Sequence, residues 1–169
     1  MIVVALLGAT AGLAGCSISA RNSLSSASVE AKIASELATS YDIAPPPVHC
    51  PRQVPAQVGS TFTCVATLEG QHLQVVGTVT SSRGHVEVHP TSAVVVAEKA
   101  EAEIGKSLSA TFGQPVTVSC PIPSLLVAPV GHTFQCTAHV AGVDRQVVVT
   151  VTNLAGDLSY RVLPYKPAS

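Results

Sequence analysis

The sequence carries little charge, and this shortage excludes two classes of partner. Only 11% of the 169 residues are charged and the formal net charge is −1, so there is no clustered basic face for nucleic acid. A polybasic segment for anionic lipid is also missing. Aromatic residues make up 4% and tryptophan is absent. Hydrophobic residues still reach 47%, which is enough for a folded core, and the abundant Val and Thr favour β-sheet.

An apolar run, MIVVALLGATAGLAG, opens the chain. At 15 residues it is too short for a membrane-spanning helix, which needs roughly 20, but it fits the apolar region of a secretory signal. The run ends in Leu13-Ala14-Gly15-Cys16, which resembles the lipobox of bacterial lipoproteins. That resemblance implies cleavage before Cys16, a diacylglyceryl group on its thiol and usually a further acyl chain such as palmitate. The alternative is a buried N-terminal element with a core cysteine.

These features predict the organisation of the N-terminal region. Residues 1–15 are a signal peptide, and 16–27 are the lipidated Cys16 followed by a Ser-rich, flexible tether. Two or three acyl chains hold a soluble domain stably on a membrane, so we expect a lipid-anchored protein on the extracytoplasmic face of the cell membrane. The first basic residue is Arg21, and the basic start of the signal is therefore expected upstream of this sequence.

A tandem repeat dominates the remainder. Residues 59–84 align without a gap on residues 131–156, and half of the aligned positions are identical. Besides Cys16 there are four cysteines, an even number that indicates disulfides behind a secretory signal. Their number alone allows three pairings, and the repeat selects the pairing in which each copy holds its own bridge, Cys50–Cys64 and Cys120–Cys136. Each bridge closes a loop of about 15 residues, which is worth roughly 3 kcal/mol.

Each copy combines a helical stripe with alternating strands. Apolar residues recur every four positions in two stretches: Val29, Ile33, Leu37 and Tyr41, then Ala100, Ile104, Leu108 and Phe112. Alternation at period two follows each stretch, and Ser28 is the expected N-cap of the first helix. The predicted fold class is α+β, with two tandem repeats over 28–90 and 95–164. Each repeat is one N-terminal helix packed on a four-stranded antiparallel sheet with one disulfide.

The order helix, C-P, G-x-T-F-x-C and Val/Thr strand resembles domain-of-unknown-function family 4333, which is common in actinobacterial envelope lipoproteins and secreted proteins. The resemblance covers Val29–Pro90 and Val95–Pro164. Its motif residues are Cys50, Pro51, Gly59, Phe62 and Cys64 in the first copy, and Cys120, Pro121, Gly131, Phe134 and Cys136 in the second. The resemblance implies an extracytoplasmic α+β domain with one disulfide, and it supplies no known reaction or ligand.

Catalytic motifs were not found. The chain has no G-x-S-x-G elbow, P-loop, H-E-x-x-H motif or dinucleotide fingerprint. His85 and His89 are four apart in a predicted strand and could hold a metal with a third ligand, but the second copy has Asp157 and Arg161 there, which favours solvent-facing histidines. The acids of the second helix, Glu98, Glu101 and Glu103, are interpreted as a solvated face. We predict no catalytic residue, no metal site and no cofactor.

The two copies differ most in the segment between their cysteines. In the second copy this segment is longer and nearly all apolar, with Leu125, Leu126 and Val127 at its centre. One interpretation is that these residues pack between the repeats or cover an open end of a sheet. The other is an exposed apolar patch that binds a partner or lipid, and it makes these three residues the candidate binding patch.

The predicted function is therefore a non-enzymatic, lipid-anchored envelope module. It is expected to contact the membrane through the lipid on Cys16 and to bind an unidentified envelope protein or apolar ligand, with no nucleic acid partner. Two alternatives remain: a cell-wall enzyme or enzyme accessory with a site between the repeats, and a purely structural spacer.

Overall fold

A computed structural model describes residues 23–164 of the chain. It confirms the α+β class and the two tandem repeats, each with one long helix, a four-stranded antiparallel sheet and its own disulfide. The signal segment and Cys16 lie outside the described residues. Within residues 23–164 no helix is both long and apolar enough to cross a membrane.

The first repeat begins with a short strand and its helix, and its sheet has the order β2-β4-β5-β6. Its elements are β1 (Ser23–Leu24), α1 (Ser26–Tyr41), β2 (Val48–His49), β3 (Val54–Pro55), β4 (Thr61–Leu68), β5 (Gln71–Val79) and β6 (Val86–Pro90). The strand order leaves β2 and β6 at the two edges of the sheet.

The second repeat copies this arrangement, and its sheet has the order β8-β10-β11-β12. Its elements are β7 (Ala93–Val96), α2 (Ala97–Phe112), β8 (Val116–Ser119), β9 (Leu125–Ala128), β10 (Thr133–Val140), β11 (Val143–Val151) and β12 (Leu158–Val162). Here β8 and β12 are the edge strands.

The predicted helical stripes are largely confirmed, because each helix buries the expected face against its sheet. The buried members are Val29, Ile33 and Leu37 on α1, and Ala100, Ile104 and Leu108 on α2. The stripes diverge at their last position, where Tyr41 is half-buried and Phe112 is 37% exposed. This divergence marks a difference in what covers the end of each repeat.

The predicted N-cap of α1 is wrong. The Ser25 side chain is the cap and accepts a hydrogen bond from the Ser28 backbone N–H at 3.4 Å, while Ser28 lies inside the helix. In α2 the corresponding residue is Val96, which offers no capping side chain. Strand β7 runs directly into α2, so a residue that packs in a strand replaces the residue that would cap a helix.

Both disulfides extend a strand ladder by one pair. The Cα atoms are 4.3 Å apart in Cys50–Cys64 and 4.2 Å apart in Cys120–Cys136, close to the spacing of non-hydrogen-bonded antiparallel pairs. In such a pair the backbone N–H points away from the partner strand. A helix glutamate accepts each one: Glu30 Oε1 from the Cys50 N–H at 2.9 Å and Glu101 Oε1 from the Cys120 N–H at 2.7 Å.

This contact corrects the interpretation of Glu101 as part of a solvated face. Its carboxylate is half-buried and holds the strand that carries the cysteine against the helix, whereas Glu98 and Glu103 are exposed as expected. Because Glu30 makes the same contact in the first repeat, the pairing belongs to the repeated unit.

Two short ladders were not predicted. Strand β1 pairs with β3, and β7 pairs with β9, so the residues before each helix bond to the segment between the cysteines of the same repeat. Residues 23–27, assigned to the tether from the sequence, are therefore part of the first repeat. The second repeat likewise begins at Ala93 rather than at residue 95.

Candidate functional site at the junction of the repeats

The β7–β9 ladder is a partition between two hydrophobic cores, and its residues alternate between them. One face packs on the core of the first repeat, with Val94, Leu125, Val96 and Val127. The other face packs on the core of the second repeat, with Ala93, Val95, Leu126 and Ala128. Because successive strand residues point to opposite faces, one ladder contributes to both cores and joins the repeats into one body.

Two side chains near the β4–β5 turn, Glu69 and Gln71, form hydrogen bonds with the outer edge of β9. Gln71 uses both ends of its amide: Nε2 donates to the Leu125 carbonyl, and Oε1 accepts from the Val127 N–H at 3.0 Å. Glu69 accepts from the Ser124 hydroxyl at 2.7 and 2.8 Å and from the Leu125 N–H at 3.2 Å. These bonds satisfy backbone groups that a two-stranded ladder leaves open, and they fix the register of the junction.

The outward face of the ladder is apolar only where it is docked. The register places Ser23, Ser25, Gln53 and Pro55 of the first repeat at the positions of Val94, Val96, Leu125 and Val127 in the second. The inward positions stay apolar in both copies, as Leu24 and Val54 against Val95 and Leu126. The outward face therefore lies against solvent in the first repeat and inside an interface in the second.

The end of the first repeat that binds the ladder, around the β4–β5 turn, also differs from its counterpart in the second repeat. Glu69, Gln71 and Leu73 of the first repeat align with Ala141, Val143 and Arg145 of the second. Leu73 is fully buried, whereas Arg145 lies over the Phe112 ring at 5.9 Å from the centroid. This end of the second repeat lacks the two side chains that hydrogen-bond to a ladder, and it has a cationic residue in place of the buried leucine. It therefore does not offer the contacts that dock the ladder on the first repeat.

A cleft of about 230 Å³ opens beside the junction. Its walls are the end of α1, strand β7, the first turns of α2 and the turn before β12. The polar side chains in these walls are Ser40, Tyr41, Lys99, Glu103 and Asp157. Burial raises the pKa of the Tyr41 phenol above its usual value, because a half-buried phenolate would lose solvation.

Gly156 shapes this cleft by allowing a close approach of two chain segments. It has a φ of +87°, and a Cβ built on it would lie 2.8 Å from the Val94 carbonyl oxygen. A side chain would therefore separate the β11–β12 turn from β7. Gly84, at the same place in the first repeat, has a φ of +82°, but a Cβ built on it would meet the Leu24 side chain rather than a backbone atom.

The candidate binding patch is not an exposed surface. Leu125 is 5% exposed in the first core, while Leu126 and Val127 are half-buried on opposite sides of the ladder. The reason is the alternation of a strand, which sends neighbouring side chains in opposite directions. The structure supports the other interpretation, in which the apolar segment packs between the repeats.

The two histidines considered for a metal site are not placed together on a strand. His85 precedes β6, with its Nδ1 2.8 Å from the Ser81 hydroxyl, and His89 lies within β6 with its Nε2 3.3 Å from Glu87 Oε1. Within residues 23–164 no group of three or more His, Cys, Asp or Glu side chains is arranged to hold a metal ion. The cleft, for its part, has no histidine among its lining residues.

Sequence reasoning missed the residues that build the junction. Glu69, in the turn after β4, and Gln71, the first residue of β5, are not shared by the second copy. Their partners, Ser124, Leu125 and Val127, lie far along the chain. Glu30 and Glu101 carried a usable signal, because each is a glutamate one residue after the first member of its helical stripe.

The comparisons with known proteins give one family. The model of a domain of unknown function, DUF4333, matches the chain twice, over residues 11–84 and 86–156. Both matches end before the last strand of their repeat. No curated protein and no solved structure matches the chain.

Proposed function

The chain belongs to the DUF4333 family, and on that premise we propose that it is a lipid-anchored protein of the extracytoplasmic membrane face that binds an envelope protein without catalysing a reaction. Its anchor is the lipid on Cys16. The two disulfides support an oxidising compartment outside the cytoplasm. The apolar segment that favoured an apolar ligand lies inside the junction, so a protein partner takes precedence.

The observation that carries binding is the junction itself. Val94 and Leu125 belong to the second repeat but are buried in the core of the first, so the two repeats present one rigid surface. Ligand sites occur preferentially at domain interfaces, and the cleft beside this junction offers hydroxyl, ammonium and carboxylate groups. A fixed cleft loses little entropy on binding, because its walls are already in place.

A rigid spacer is the second candidate, and the burial of Leu125 favours it directly. If the apolar segment serves only to join the repeats, the body simply has a fixed length and holds no ligand. The two candidates share the anchor and differ in the cleft, so the cleft decides between them.

The anchor is tested by intact mass of the membrane-bound protein. We expect the loss of residues 1–15 and added lipid mass on Cys16, and the Cys16→Ser variant should move to the soluble fraction. An unprocessed N-terminus or a membrane-bound Cys16→Ser protein would contradict the anchor.

Binding is tested by a photo-crosslinking amino acid in the native envelope. A probe at Ser40, on the cleft wall, should crosslink to a defined envelope protein, whereas a probe at the exposed Thr63 on the outer face of the first sheet should not. Crosslinks of equal yield from both positions, or none from Ser40, would favour the spacer.

A further inference from the structure

Of the four edge strands in the two four-stranded sheets of residues 23–164, three carry a feature that hinders pairing with a further strand. Beside β2 and β8, Glu30 on α1 and Glu101 on α2 accept from the N–H groups of the cysteines that follow these strands. The Val116 N–H at the start of β8 also donates to the Ser109 hydroxyl at 2.9 Å. On β6 the register places Pro90 with its backbone facing outward, and a proline has no N–H to offer another strand.

Strand β12 is the exception. It pairs with β11 alone, and the bonds that flank it fix its orientation: Thr152 N–H donates to the Asp157 carbonyl and Leu163 N–H to the Gln146 carbonyl, both at 2.8 Å. Because antiparallel pairs alternate between bonded and non-bonded residues, Ser159 and Arg161 face β11. The backbones of the intervening residues, Leu158, Tyr160 and Val162, point away from the sheet.

These outward groups have no hydrogen-bond partner among residues 23–164. The position of Pro90 in the first repeat is occupied by Val162 in the second, so the device that blocks β6 is missing from β12. The side chains of Leu158, Tyr160 and Val162 are half-buried on the core side of the sheet, and the Tyr160 hydroxyl bonds to Ser107 on α2. An added strand would cover the exposed part of this apolar row.

We propose that β12 receives an extended segment of the protein partner, which adds to the second sheet as a fifth strand. This inference rests on the proposed function, since it names the way in which that partner binds. The three outward residues supply three N–H donors and three carbonyl acceptors, a pattern that an extended polypeptide matches. Alternate side chains of the segment would then pack beside Leu158, Tyr160 and Val162.

Two observations favour a partner segment over a second copy of this chain. Leu158 also lines the cleft between the repeats, so a segment added to β12 continues into the site described above. A pair of five-residue strands, each about 17 Å long, covers far less area than the 1,200–2,000 Å² typical of a stable interface between folded proteins. A flexible segment that pairs with β12 and also enters the cleft would bury more area than the strand pair alone.

The test selects linear octapeptides from a phage-displayed library on the full chain carrying Cys16→Ser, and then measures the affinity of the best peptide. Val162→Pro copies the residue that the first repeat holds in the same register and removes one outward N–H. It should weaken the peptide roughly 2- to 12-fold, the effect of one lost hydrogen bond. Val162→Ala keeps the N–H and controls for lost packing, so its affinity should stay within about twofold of the original.

Hydrogen exchange gives a second measurement that needs no variant. A bound peptide should protect the amides of Leu158, Tyr160 and Val162, while Ser159 and Arg161, already bonded to β11, should change little. Protection without this alternation, equal affinity for Val162→Pro, or no enriched peptide would overturn the proposal. A concentration-dependent dimer with the same alternating protection would overturn the partner assignment and give the edge to a second copy.

The result is separable from the proposed function. If the peptide binds to β12 but the unaltered protein proves to carry no lipid mass on Cys16, only the anchor is contradicted. A lipidated protein that crosslinks through Ser40 but leaves the β12 amides unprotected would contradict only the strand addition.

Discussion

Leu125→Ala should weaken the first repeat although Leu125 belongs to the second. The side chain is 5% exposed and lies in the first core. Removing a buried leucine costs about 2–5 kcal/mol. We expect about 3 kcal/mol here, because Leu125 lies on a two-stranded ladder at the border of the core, where neighbours can relax into part of the cavity.

Native-state hydrogen exchange can locate this effect, because local opening reports the stability of each region. A loss of about 3 kcal/mol corresponds to a roughly hundredfold rise in the exchange of the β4 and β5 amides. Leu126→Ala is the matched control: this neighbour faces the second core and is half-buried, so it should cost about 1–2 kcal/mol and act on β10 and β11.

The essential result is that two adjacent leucines stabilise different repeats. If Leu125→Ala left the exchange of β4 and β5 unchanged, Leu125 would not be part of the first core and the ladder would not be shared. If both variants weakened both repeats equally, the assignment of each face to one core would have no energetic meaning.

Three further predictions concern the cysteine ladder, the first core and the cleft. Glu101→Ala leaves the N–H of a buried cysteine without its acceptor, and it should lower the free energy of unfolding in urea by about 1–3 kcal/mol. Glu103→Ala, on the exposed side of α2, should change this free energy by less than about 0.5 kcal/mol. Equal effects of the two variants would show that the hydrogen bond of Glu101 does not stabilise the fold. Gly77→Ala should destabilise the protein by about 1–3 kcal/mol, because the new Cβ would lie 2.3 Å from Cζ of Phe62, and an unchanged urea midpoint would show that the ring moves freely. Burial raises the pKa of Tyr41 in the folded state. The neutral phenol therefore contributes stability that is fully present below the pKa of the unfolded state, near 10, and is lost as the pH rises through the pKa of the folded state. Tyr41→Phe should reduce the loss of stability to urea above about pH 10, and an identical pH profile would contradict a raised pKa at Tyr41.

The sequence predicted the features that depend on local periodicity and on the repeat. A spacing of four identifies Ile33 and Ile104 as core residues because a helix returns to the same face after that interval. The disulfide pairing follows from assigning one bridge to each copy, and it is confirmed because Cys50 and Cys120 continue ladders that the repeat also predicted.

The junction could not be predicted, because its contacts connect distant parts of the chain. Gln71 bonds to backbone groups at residues 125 and 127, and nothing in its neighbourhood in the sequence indicates those partners. Strands of two to four residues such as β1 and β7 give too short a pattern for alternation to be recognised. For the same reason an apolar run such as Leu125–Val127 cannot reveal from composition alone whether solvent or another domain covers it.

The two copies differ at the positions that decide which surfaces stay available. Docking needs an apolar outward ladder face on one copy and polar side chains that bind this ladder on the other. The second repeat supplies the apolar face, and the first repeat supplies the polar side chains. If Cys16 carries the lipid, only six residues connect it to Ser23, and they span about 20 Å at most. The first repeat then lies beside the membrane, with Pro90 blocking the free edge of its sheet. The unblocked strand β12 belongs to the second repeat, so the edge that we propose for the partner segment is not on the repeat that adjoins the anchor.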